Sequence, residues 1–98
     1  MTVETKRFDA AEYMESDEAQ AELLADAFET GDSQYISHAF GVVARARGMT
    51  AIAREAGVTR EALYKALSDK GDPKFSTLLG VVKALGLKLE LKKIEAAE

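Results

Sequence analysis

Apolar and polar residues recur along this chain with two different periods, and the change between them marks its organisation. Through most of its length the apolar positions return every three or four residues, the spacing of a helix with one buried face. Ser16-Asp17-Glu18 begins such a segment, with Ser16 as N-cap and acids in the first turn, where the helix dipole favours them. Leu23, Leu24, Ala27 and Phe28 share its inner face, and Gly31 ends it. Asp32 or Ser33 caps the next helix, where Ile36, Ala39, Phe40, Val43 and Ala44 form a buried stripe running to about Arg47 and a stop at Gly48. Two short helices follow, Thr50 to Ala56 and Arg60 to about Ser68, with Gly57-Val58-Thr59 between them. Lys70-Gly71-Asp72-Pro73 is a loop of strong breakers. The last helix runs from Phe75 to Leu85 with Phe75, Leu78, Leu79, Val82 and Leu85 inward, and Gly86 caps it. Near the N-terminus, Phe8 to Met14 reads as a short helix, with Asp9 as N-cap and Glu12 three residues on, as in a capping box.

At Leu87 the period becomes two. Leu87-Lys88-Leu89-Glu90-Leu91-Lys92 alternates strictly, the mark of a half-buried strand. A lone strand needs partners for its N–H and C=O groups. One such strand from each of two copies, paired antiparallel, fits a two-fold dimer with Leu87, Leu89 and Leu91 at its interface. The competing reading is an extended tail lying over the helices. The expected architecture is therefore an all-α bundle with an N-terminal helical extension (1–31), a helical body (32–86), and a short C-terminal strand and tail (87–98).

The stretch from Met49 to Leu67 has the pattern of a helix-turn-helix. Ala53 is small where the second helix must cross closely, and Gly57, four residues later, supplies the positive φ the turn needs. Ile52, Ala56, Val58, Leu63 and Ala66 plug the inner corner, and Thr59 caps the second helix. Such a motif lays its second helix in the DNA major groove with N-terminal side chains at base edges. Arg60 would grip a guanine through O6 and N7, and Glu61 would accept from a cytosine amine or orient Arg60. Tyr64 would meet a thymine methyl or a phosphate, and Lys65 a phosphate. Thr50 stands at a helix N-terminus that can hold another phosphate, and Arg47 and Arg54 flank the same surface. The plain alternative for each is a solvated surface side chain.

Charge sharpens this picture. The 98 residues carry a net charge of −4 with 13 basic and 17 acidic residues. Residues 1–40 hold ten acids and two bases, a net of −8, whereas residues 41–75 hold seven bases and four acids, a net of +3. An acidic front before a basic middle suggests two surfaces with different partners. Tyr13, Met14, Glu15, Asp17 and Glu18 offer apolar and acidic contacts to a basic protein. Leu24 and Phe28 are expected to pack on the chain's own core.

Enzymatic chemistry finds little support. There is no Cys, which excludes disulfides and thiolate sites. His38, the single histidine, reads as a surface or half-buried helix residue. No phosphate loop, dinucleotide fingerprint or EF-hand spacing is present, so no cofactor or metal is expected. No apolar run approaches the ~20 residues of a membrane span, and no apolar signal core opens the chain, so the cytoplasm is the expected compartment.

The middle and end of the chain resemble the Xre/Cro-type, lambda-repressor-like helix-turn-helix domain. A closer resemblance rests on Ala44-Arg-Ala-Arg-Gly-Met-Thr50, Ala53-Arg-Glu-Ala-Gly-Val58, Leu63-Tyr-Lys-Ala-Leu-Ser68, Pro73-Lys-Phe-Ser-Thr-Leu78 and Val82-Lys-Ala-Leu-Gly-Leu87. Together with Phe8-Asp-Ala-Ala-Glu-Tyr-Met14, these runs are similar to the addiction module antidote subfamily, from Phe8 to Leu91. That resemblance implies a bacterial antitoxin that neutralises a small toxin, often of the RelE-type ribonuclease kind, and represses its own operon as a dimer on a palindromic site. A stand-alone regulator without a toxin is the first alternative. A protein-interaction module that has lost DNA binding is the second.

Overall fold

Residues 17–68 and 70–94 are described by a computed structural model of the protein, and they form five helices. These are α1 (Asp17–Thr30), α2 (Ser33–Arg47), α3 (Met49–Ala56), α4 (Arg60–Ala66) and α5 (Phe75–Ala84). The short helix expected at Phe8–Met14, the Ser16 cap, and Tyr13, Met14 and Glu15 lie outside the described residues.

Local chemistry sets most of the boundaries. Asp32 caps α2: its Oδ1 accepts from the backbone N–H groups of Gln34 at 3.0 Å and Tyr35 at 3.3 Å. One residue, Gly48, both ends α2 and precedes α3; its N–H donates to the Ala44 carbonyl and its carbonyl accepts from Ile52. Between α3 and α4, Gly57 takes a left-handed conformation at φ 79°. There its N–H donates to the Arg54 carbonyl and that of Val58 to the Ala53 carbonyl, a Schellman closure. Thr59 then caps α4, its hydroxyl oxygen accepting from the Ala62 N–H at 3.0 Å. Helix α4 stops at Ala66, two residues early, and the Ser68 hydroxyl and N–H both donate to the Lys65 carbonyl, at 2.8 and 3.3 Å.

Helix α1 packs along α2, α2 turns into α3, and α3 packs against both α4 and α5. The shared core holds Leu24 and Ala27 from α1, Ala39, Phe40, Val43 and Ala44 from α2, and Met49, Ile52 and Ala53 from α3. Leu63 comes from α4, Leu67 from the residue after it, and Val81, Val82 and Leu85 from α5 and its end. Phe28 meets Phe40 edge to face with ring centroids 6.0 Å apart, while staying half-exposed. Helices α3 and α5 approach closely through Gly80, where a Cβ would stand 3.1 Å from the Ala56 Cα.

Two expectations change. Phe75 and Leu79 do not face inward: they are 68% and 43% exposed. The buried face of α5 runs instead through Leu78, Val81, Val82 and Leu85. Helix α5 is so rich in apolar residues that two stripes share helical spacing, and the Gly80 approach to α3 selects one of them. The C-terminal strand is the second: it is not formed within one chain. Residues 87–94 form no strand, and the Leu87 N–H donates to the Val82 carbonyl at 3.0 Å. Leu87 packs partly on the core, while Leu89 is half-exposed and Leu91 fully exposed.

Candidate nucleic-acid interface

The corner of α3 and α4 is built from inside outward. Leu63, fully buried, fixes α4 to the core, and Ile52 and Ala53 support it from α3. Val58, in the turn, packs partly on the same core. Every other polar side chain of α4 then points to solvent: Arg60, Glu61, Tyr64 and Lys65 are all exposed. The Arg60 guanidinium carbon lies 5.4 Å from the centroid of the Tyr64 ring, a cation–π contact one helical turn along. Hydrogen bonding to Tyr64, with electrostatic attraction second, pushes the Arg60 pKa up. An arginine is charged at any working pH, so the consequence is geometric: the ring holds the head group at the start of α4.

The flanking residues divide into two sets. Thr50 and Arg54 are exposed on α3, and no side chain caps the N-terminus of that helix. Thr59 is exposed with its oxygen engaged as a cap. Arg47 also bonds within the fold. Its Nη1 donates to Gln20 Oε1 at 2.7 Å and lies 3.4 Å from Asp17 Oδ1, tying the end of α2 to the start of α1. Gln20 is a buried polar side chain, so this bond satisfies an acceptor inside the fold.

Two other basic residues come together without having been expected. Arg45 and Lys70 line a shallow hollow of about 460 Å³ with His38, Leu67 and Ser68. Both cations are counted in the basic middle segment, but their meeting depends on where the loop after α4 passes α2, which no local pattern states. His38 is exposed at that edge. Among the described residues no group of three or more His, Asp or Glu is placed to hold a metal ion. No described helix is long and apolar enough to cross a membrane.

Opposite in sign to this corner is α1. Asp17, Glu18, Glu22, Asp26 and Glu29 are all exposed, and the helix carries no basic residue. A family of sequences described as probable addiction module antidote proteins matches residues 4–93. The chain belongs to this antidote family. An antidote implies a toxin as partner, and the family match spans α1 as well as the α3–α4 corner. An uncharacterised protein of Haemophilus influenzae is 43% identical over 93 residues, which covers 95% of this chain and 96% of that protein. No solved structure matches the chain.

Proposed function

We propose that this antidote-family protein is a sequence-specific DNA-binding repressor of the Xre type that also neutralises a toxin. It binds rather than catalyses, and it needs no cofactor. The observation that carries the DNA reading is a capped helix, α4, held by one buried leucine while Arg60, Glu61, Tyr64 and Lys65 face solvent. In this reading α4 enters the major groove. Arg60, steadied by Tyr64, reads guanine N7 and O6, and Glu61 accepts from a cytosine amine. Lys65 and Arg54 meet phosphates, and Thr50 with the uncapped N–H groups of α3 holds another. Tyr64 adds a thymine-methyl contact beside its support of Arg60. Arg47 stays with Gln20 and Asp17 and takes no direct part. Two copies present two such helices to a palindromic operator.

The toxin reading rests on the antidote family and on α1. RNA-cleaving toxins of the RelE-like kind need basic surfaces for their substrate, and the exposed acids of α1, Asp17 and Glu18 among them, complement such a surface. Attraction of this sort mainly speeds encounter. Co-expression with the product of the neighbouring reading frame tests it: a complex that resists moderate salt supports the reading, and no complex contradicts it.

For DNA, the test is a fluorescence-anisotropy titration of the duplex upstream of the gene at several salt concentrations. Binding should weaken steeply with salt. Arg60→Ala should lose roughly tenfold or more of the preference for the operator over other duplexes. Lys65→Ala should weaken binding to all sequences alike and reduce the salt slope by about one. Parent-like binding by both variants would overturn the assignment of α4.

A further inference from the structure

The C-terminal segment contains its own pairing code. Leu87 is half-buried, Leu89 is 41% exposed and Leu91 is 100% exposed, so leucines of one alternating face pass from the core into open solvent. Lys88, Glu90, Lys92 and Lys93 are all exposed. The Leu87 N–H is already bound to the Val82 carbonyl, so a ladder on this segment begins at Lys88.

We infer that residues 87–91 pair antiparallel with the same residues of a second copy, in one register centred on Leu89. The register follows from the residues themselves. With Leu89 facing Leu89 of the second copy, Lys88 faces Glu90 and Glu90 faces Lys88, while Leu87 faces Leu91. Both ion pairs fall on one face of the ribbon and all the leucines on the other, as the pleat requires. Centring on Lys88 sets that lysine against itself. Centring on Glu90 sets the glutamate against itself and Lys88 against Lys92. Centring on Leu91 sets Leu89 against Lys93. Any half-residue shift sets leucines against charged residues. The Leu89 register also accounts for Leu91. Left in solvent by its own copy, it comes beside Leu87 of the second copy, the residue that packs on that copy's core. The strand absent from one chain is thus completed by another. This deepens the two-fold repressor proposed above, and its test uses no DNA, so the two fail separately.

The protein has no cysteine, which permits a direct test on the full chain. In the Leu89 register, residue 89 lies within disulfide reach of itself and residue 91 does not. Under mild oxidation Leu89→Cys should cross-link between copies at least about tenfold faster than Leu91→Cys. Random collision predicts the opposite order, because Leu91 is the more exposed, and equal or reversed rates would overturn the inference. Sedimentation equilibrium supplies the second reading. Glu90→Lys and Lys88→Glu should each weaken self-association about tenfold, since each turns two attractive pairs into repulsive ones. The double variant should associate like the parent, and a mixture of the two single variants should form heterodimers. Unchanged association in the single variants, no rescue in the double variant, or a parent that remains monomeric would each contradict the pairing.

Discussion

Helices α1 and α4 are both amphipathic, and they anchor themselves in different ways. Helix α1, 14 residues long, buries Ala19, Gln20, Leu24 and Ala27 and turns five acids outward. Helix α4 has half that length and buries only Leu63. Its position depends on that leucine, on the Thr59 cap and on the Gly57 turn, while four polar side chains face solvent. The contrast separates two kinds of surface. Along α1 the packing is continuous, and among the described residues the ion pair its acids make is Asp17 with Arg47. On α4 little apolar area holds the helix, and in the proposed reading its outward residues serve what they meet outside the fold. A net charge of −4 averages these two faces and describes neither.

The contrast breaks most strongly at Leu63. Leu63→Ala should lower stability by about 2–5 kcal/mol in urea unfolding, since the side chain is fully buried. Leu24→Ala in α1 should fall in the same range. The folded fraction of the Leu24 variant should keep DNA binding, whereas that of the Leu63 variant should lose it. Thr59→Ala comes next, with a loss of about 1 kcal/mol and weaker DNA binding, because the cap starts the helix proposed to read DNA. Arg47→Ala sharpens the division between the faces. It should cost about 1 kcal/mol through the lost bond to buried Gln20, with the salt slope of DNA binding unchanged. A changed slope would return Arg47 to the phosphate-binding set. Glu22→Lys, on the exposed face of α1, should shift stability by less than ~0.5 kcal/mol. It should raise DNA affinity slightly at low salt and not at high salt.

How much of this was legible depended on how local the cause was. The Asp32 cap, the Gly57 turn and the Thr59 cap each arise within a few residues, so spacing and residue type revealed them. The exposed set on α4 followed from the same local pattern. The inner face of α5 was not legible, because Phe75 and Leu79 share helical spacing with the residues that are buried; only the Gly80 approach to α3 decides between them. Arg47 read as one more cation near the motif, and its engagement with Gln20 depends on how α1 crosses α2. The hollow that joins Arg45 to Lys70 has the same origin. The C-terminal alternation was visible as a strand pattern, but a strand needs a paired neighbour, and no strand is formed among the described residues.

The central claim is that the basic corner of α3 and α4 reads DNA sequence. The most direct measurement is competition, at physiological salt, between the duplex upstream of the gene and a scrambled duplex of identical composition. The account predicts a preference for the upstream duplex of roughly a thousandfold or more, with a marked loss of that preference in Arg60→Ala. Equal affinity for the two duplexes, unchanged by Arg60→Ala, would contradict it.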